Sequence, residues 1–340
     1  MRLATFLLVG FVFSPIALGQ ETTSTNTLRV GIIGLDTSHV PAFTKAFNQD
    51  PPAEEMQNCR VVAAYPFGSK DIETSASRIP KYTAEVKELG LNVVDSIDEL
   101  LGQVDCVLLE TNDGRPHLEQ ALAVFRAGKP VFIDKPTGSN LSEVVAIYRA
   151  ARHYDVPMFS SSSLRFSSSP QKIRAGEVGD VMGCNTHGPC SLEKTHVDLF
   201  WYGIHGTELL FTCMGPGCQS VSHTSTNDFE LAVGRWFDGR IGVYRGIRKG
   251  KSGFGGTVFG SKAIGAVGKY EGYKPLVVEI AKFFRTRKSP IDDAETIQIY
   301  AFMQAALASK NAGGSPIAIA DVMKKAERDA DTLLAGKLKE

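Results

Sequence analysis

Between residues 28 and 161 the chain alternates short apolar runs with helical stretches, and this alternation restricts the fold more than any other feature. The runs are "LRVGIIG" (28–34), "RVVAAYP" (60–66), "NVV" (92–94), "DCVLLET" (105–111), "PVFIDKP" (130–136) and "VPMFSS" (156–161). Most are rich in β-branched residues and bounded by Gly, Pro or Asp, the pattern of strands buried on both faces. Helices are expected between them. One spans 39–47 with Ser38 as a possible N-cap, one is "SIDELL" behind Asp95-Ser96, one runs from Pro116 to a stop at Gly128, and one spans 141–153. Such a succession packs as a doubly wound parallel sheet.

After residue 163 the pattern changes. A helix is expected near 203–214, then "CQSVSHTS", "ELAVGRWFD" and "RIGVYRGI" read as strands, with a hairpin through Asp238-Gly239. Two helices, 275–287 and 294–311, are expected to close the chain. The fold class is therefore α/β, with a doubly wound domain over 28–162 and a C-terminal α+β domain over 163–340 built on a mostly antiparallel sheet. Such a sheet has one face to cover, and the first domain or a second subunit can cover it. A homo-oligomer through this sheet is the expectation.

The first 19 residues differ from the rest. Arg2 is the one charge, the stretch 3–18 is apolar, and Ala17-Leu18-Gly19 offers a cleavage site. They read as a signal peptide followed by a polar linker over 20–27, which implies an exported, periplasmic or extracellular protein without stable membrane insertion after cleavage. The 37 basic and 37 acidic residues balance, so nothing marks a nucleic-acid partner. Six cysteines follow the leader. In an oxidising compartment Cys184 with Cys190, or Cys213 with Cys218, are the local candidates for pairing, while Cys106 reads as a buried free thiol. No pair has zinc-ligand spacing, and no metal is expected.

In a doubly wound sheet ligands bind outside the carboxyl ends of the strands. At the first such end, "GIIGLDTSH", a dinucleotide-binding turn would read G-x-G-x-x-G from Gly34. Here Asp36 and His39 replace the second and third glycines. Three readings stay open for this pair: a helix cap and a packed ring, acid–base groups at the cleft, or two ligands of a divalent ion. At the fifth strand end stands Asp134-Lys135-Pro136, whose lysine can hydrogen-bond a substrate hydroxyl and lower its pKa. His205, in "WYGIHGTELL", starts a helix and has an unperturbed pKa suited to a general base or to a purely structural role. His117 reads as structural or close to a cofactor ribose.

These pieces, in order, resemble the glucose-fructose oxidoreductase / inositol dehydrogenase / MocA (Gfo/Idh/MocA) family. They are "VGIIGL", the stretch "DSIDELLGQVDCVLLETN…PHLEQALAVFRAGKPVFIDKP", "GIHGTELL" and "SPIDDAETIQIYAFMQAALASKNAGGSPI". The resemblance implies an NAD(P)-binding domain followed by a substrate domain, and hydride transfer at a sugar, cyclitol or related polyol carbon, possible also with a tightly held, recycled cofactor. It implies that Lys135 lies between substrate hydroxyl and nicotinamide and that His205 is the general base. Gly31, Gly34, Leu35, Thr111, Asn112, His117, Asp134 and Lys135 are implied at the cofactor. The departures are Asp36, His39, Trp201 where the family has an aspartate (Asp198 is near), and "YPFGSKD" where an acid would hold the ribose of NAD. Ser69 and Lys70 suit a 2′-phosphate or nothing. Asp36 would set a carboxylate near a pyrophosphate. At roughly 5 Å and an effective dielectric of about 20, each like-charge pair costs on the order of 3 kcal/mol. A cofactor-free lyase or hydrolase, with Asp36, His39, Lys135 and His205 as acid–base groups, or a non-catalytic carbohydrate binder, are the alternatives. Arg165, Trp201, Tyr202 and Trp236 are the candidates to line a sugar site.

Overall fold

The computed structural model describes residues 26–338; the leader read in the sequence lies outside them. The first sheet contains β1 (Leu28–Ile33), β2 (Cys59–Tyr65), β3 (Asn92–Val93), β4 (Cys106–Leu109), β5 (Val131–Ile133) and β6 (Met158–Phe159). All pairings are parallel, in the order β3-β2-β1-β4-β5-β6. The direction of winding reverses between β1 and β4. The crevice outside their carboxyl ends is where such a sheet takes a ligand.

The second sheet contains β7 (Val181–Pro189), β8 (Cys218–Ser225), β9 (Phe229–Trp236), β10 (Ile241–Ile247), β11 (Gly255–Gly260), β12 (Ile264–Val267) and β13 (Ile317–Ala318). Its order is β12-β11-β7-β10-β9-β8-β13, and only β7 with β10 is parallel. The β9–β10 hairpin turns at the expected Asp238-Gly239, with Gly239 at φ +88°. Helices Ile204–Met214 and Asp293–Asn311 cover one face, where Leu210, Phe211, Trp236 and Phe302 share a core.

The two units are not closed at residue 162. Helix Lys274–Thr286 lies in the second half of the sequence, yet its Leu276, Val277, Ile280, Ala281, Phe283 and Phe284 pack with Val30, Ile32, Phe43, Phe132 and Phe159 of the first sheet layer. A third closing helix, Ile319–Leu334, was not expected. Its apolar stripe, Ile319, Val322, Met323, Ala326, Ala330 and Leu334, recurs at three- and four-residue spacing and packs on the core, so its period is readable in the sequence. It docks on helix Leu141–His153, where Arg149 reaches Asp331 and the Glu327 carbonyl.

All six cysteines are buried and free, which corrects the expected local pairings. Cys184 instead sits beside Cys213, and that contact together with burial pushes its thiol far up. Among the described residues no helix is long and apolar enough to cross a membrane.

Candidate active site

The turn after β1 keeps the tight geometry of its glycine. Gly34 has φ +97°, and a Cβ there would lie 2.4 Å from the Thr111 backbone nitrogen, so only glycine lets the β1 and β4 turns approach. Beyond it, His39 opens helix His39–Phe47. Ser38 makes no side-chain cap there, which corrects that expectation. The His39 ring stacks on Phe43 and meets Tyr273 edge-on at 4.5 Å between centroids. Its Nδ1 lies 2.8 Å from Asp134 Oδ2 and 3.7 Å from Glu110 Oε2. Burial lowers the His39 pKa, but the Asp134 carboxylate outweighs it and carries the group to about 10. Glu110 is pushed up by burial and by the Asp134 charge, to about 7. Asp134 is held down by His39 and Lys135 against a burial penalty of the opposite sign. Lys135 Nζ stands 3.9 Å from Asp134 Oδ2.

Opposite lies His205, at the start of helix Ile204–Met214. Its Nδ1 is 2.7 Å from Ser162 Oγ, which also accepts from the Leu164 amide. Burial and the nearby Lys135 charge hold its pKa well below 6.5, so the ring is neutral at physiological pH. The Ser162 amide and the Ser161 hydroxyl donate to Glu208 at 2.7 and 2.6 Å, and Arg165 Nε donates to the same carboxylate at 2.7 Å. Arg165 also reaches Glu295 at 2.6 Å. This buried cluster clamps the end of β6 to the helix that carries His205. Ser162 and Glu208 were not singled out in the sequence. The only local signal was the run Ser160 to Ser163 at a strand end.

Lys135 and His205 face a common cavity of about 360 Å³, within the ~300–1,000 Å³ range of small-molecule sites. Thr37, Ser38, His39 and Asn112 line it from the first domain; Trp201, Tyr202, Phe254, Tyr270 and Tyr273 line it from later segments. Aromatic faces with convergent polar groups suit a hydroxyl-rich ring. Of the proposed sugar-site residues, Trp201 and Tyr202 are here. Arg165 is instead locked in its ion cluster. Trp236 is a core residue whose Nε1 donates to the Gly215 carbonyl, so these two are corrected. Asp198 pairs with Lys310 at 2.9 Å and takes no part in orienting His205.

The residues assigned to the cofactor divide. Asn112 and Lys135 line the cavity. Leu35, Thr111, His117 and Asp134 are wholly buried, and Gly31 lies within β1 against Leu100 and Val104. His117 spans the Thr111 and Thr137 carbonyls at 2.8 and 3.1 Å, a strut between the turns after β4 and β5 rather than a ribose contact. Asp36 neither caps the helix nor faces His39. It is fully buried, and its carboxylate accepts from the Asn112 amide at 3.0 Å and from Ser75 Oγ. Burial raises its pKa to about 6, with the Ser75 and Asn112 bonds opposing.

That placement decides how far a dinucleotide fits. The segment after β2 lies across the crevice. A Cβ on Gly68 would be 2.9 Å from the Asp36 Cβ. Ser69 donates to Asp113 rather than to a phosphate, and Arg115 ties Asp71 (2.7 Å) to Asp113 (2.7 Å). His196 accepts from the Gly114 amide at 3.1 Å and pins the same turn, while burial pushes its pKa down to about 4. The residues present fit the nicotinamide end, at Asn112 and Lys135. They do not fit the adenosine end while residues 67–78 lie in this position.

Residues 28–161 match the sequence model of a family described as "Oxidoreductase family, NAD-binding Rossmann fold" (GFO_IDH_MocA). A curated relative, the 1,5-anhydro-D-fructose reductase of Ensifer adhaerens, is 34% identical over 105 residues, covering 30% of this chain and 31% of that protein. The match thus spans about a third of that relative's length. Solved structures share the fold over most of the chain. The scyllo-inositol dehydrogenase of Lactobacillus casei with bound NAD(H) and scyllo-inositol gives a TM-score of 0.67 at 15% identity, covering 87% of this chain and 100% of that one. A myo-inositol dehydrogenase of Corynebacterium glutamicum gives 0.70 at 16% identity, covering 86% and 99%. At such identities the likeness shows the fold: a parallel sheet with flanking helices joined to a second, mostly antiparallel sheet.

Proposed function

We propose, for a chain whose residues 28–161 match the Gfo/Idh/MocA family model, an NAD(P)-dependent oxidoreductase acting on a sugar, cyclitol or related polyol. The single observation that carries this reading is the joint placement of Lys135 and a neutral His205 on one cavity of small-molecule size. Oxidation of a secondary alcohol needs the hydroxyl proton removed as the carbon gives up hydride. His205 is held by Ser162 through Nδ1, which leaves Nε2 without a protein partner among the described residues and able to take that proton. Lys135 donates to the same oxygen and stabilises the developing alkoxide. The aromatic rings from Trp201 to Tyr273 exclude water and hold the apolar face of a ring substrate. Asn112 and Lys135 would hold the nicotinamide, whose chemistry when bound is to accept or return the hydride. The dinucleotide enters only when residues 67–78 move off the crevice.

A second reading is favoured by one observation, the burial of Asp36 where a backbone glycine would meet pyrophosphate. It is cofactor-free acid–base chemistry in the same cavity. The two part in a spectrophotometric assay at 340 nm, run with NAD, NADP and a panel of cyclitols and aldoses. The first reading expects polyol-dependent reduction that falls on the order of 10²-fold or more in Lys135→Ala and in His205→Ala, with folding kept. A wild-type protein that binds polyol yet reduces neither cofactor supports the second.

Export is proposed from the apolar stretch 3–18. It is tested by N-terminal sequencing of the protein recovered outside the cytoplasm; an intact Met1 there contradicts cleavage. Self-association is proposed through the face of the second sheet that carries the half-exposed Leu231, Val233 and Val243. Light scattering showing a monomer at micromolar concentration would overturn it.

A further inference from the structure

Three strand ends deliver His39, Glu110 and Asp134 to one point. His39 follows β1, Glu110 follows β4 and Asp134 follows β5. One ligand atom from each lies within 4.8 Å of the other two. Glu110 and Asp134 are 0% exposed, and all four of their carboxylate oxygens lack a well-aligned hydrogen bond, as does His39 Nδ1. The 2.8 Å approach of His39 to Asp134 is therefore close without being in line for the ring N–H. Buried carboxylates in native proteins are almost always satisfied, because an unsatisfied one carries its full desolvation cost. One imidazole at 2.8 Å can answer the Asp134 charge, and it leaves the Glu110 carboxylate, 3.7 Å away, without a close partner.

We propose that His39, Glu110 and Asp134 bind one divalent transition-metal ion in the floor of the cavity. The spacing suits it. Two donor atoms each ~2.1 Å from one ion stand about 3.0 to 3.4 Å apart at right or tetrahedral angles. The observed separations of His39 Nδ1 from the two carboxylates, 2.8 and 3.7 Å, bracket that range. One imidazole with two carboxylates selects borderline ions such as Mn²⁺, Fe²⁺, Co²⁺ or Zn²⁺ over Mg²⁺ and Ca²⁺. The two carboxylates neutralise the dication, and Lys135 stays paired to Asp134 on the cavity side. Of the three ligands His39 lines the cavity, beside Lys135, so the open coordination positions point to where a substrate oxygen would lie. Asp36 is not a ligand, since its carboxylate is taken up by Ser75 and Asn112. The site departs from the expectation of no metal because Glu110 closes the strand "CVLL", where sequence offers no ligand spacing.

The test uses full-length protein dialysed against chelator, with neither dinucleotide nor polyol present, so its outcome is separate from that of the oxidoreductase reading. Mn²⁺ is titrated and followed by the loss of its free electron paramagnetic resonance signal. The expected result is saturable uptake of one ion per chain, a higher Tm on loading, and affinity reduced on the order of a hundredfold in Glu110→Gln and His39→Gln. No saturable uptake by the wild type, or uptake unchanged in Glu110→Gln, overturns the proposal. Should the variants fail to fold, the Co²⁺-loaded wild type decides. Paramagnetically shifted ring protons from one histidine support the site; none, or those of several histidines, contradict it.

Discussion

At the scale of single residues, Asp36 is the position where the chain departs most from a dinucleotide-binding turn, and its ionisation has a calculable signature. Its folded pKa of about 6 lies above its ordinary 3.8. The folded state therefore keeps a proton that the unfolded chain has lost between those values, and stability falls as pH rises through that window. The loss is up to about 3 kcal/mol for a shift of roughly two units. Asp36→Asn keeps the shape and removes the charge. Urea unfolding at pH 4 and pH 7 should show the variant gaining on the wild type as pH rises; a constant difference would contradict the assignment. How much of this site the sequence disclosed can be judged residue by residue. Lys135 and His205 were legible because each sits beside a motif boundary. Ser162, Glu208 and Glu110 were not, because their roles come from contacts 43 or more residues away, or from strand ends that only the sheet brings together.

At the scale of elements, residues 67–78 matter most. The sequence showed an unusual end to β2 but could not show where it would lie. The segment crosses to the turn after β4 because Arg115 satisfies two aspartates at once, and because Ser69 and Ser75 each find a carboxylate. The Arg115–Asp71 pair is exposed and contributes only about 0–1 kcal/mol. The ties to Asp113 and Asp36 end on buried carboxylates and hold the segment more firmly. Arg115→Ala is expected to raise hydrogen exchange across 67–78 while changing Tm little. Unchanged exchange would mean that Gly68 packing on Asp36, not the ion pairs, holds it. The clamp of Arg165 on Glu208 and Glu295 is of another kind, with every partner buried. Such an ion cluster fixes the geometry of Ser162 and hence of His205.

At the scale of the whole molecule, the alternation of strands and helices disclosed the first sheet almost completely, down to the two-residue β3. The second sheet was half legible. β8 to β10 alternate cleanly, whereas β7 and β11 are broken by glycines that sit against other backbone or side chains, Gly183 and Gly256 among them. Helix Lys274–Thr286, far beyond the expected boundary in sequence, returns to pack in the first core. Ile280→Ala should therefore cost about 2–5 kcal/mol and lower a single cooperative transition. Two separated transitions, with only the second shifted, would contradict that shared core.

An oxidoreductase site in this cavity requires that a dinucleotide still enter once residues 67–78 move. Calorimetric titration of NAD and NADP into the wild type, Arg115→Ala and Asp36→Gly tests it most directly. Saturable binding to the wild type is expected, tightened about a hundredfold in Asp36→Gly, where a like-charge cost on the order of 3 kcal/mol is removed. No binding by any of the three proteins would contradict it and leave acid–base chemistry without a nicotinamide as the reading of this cavity.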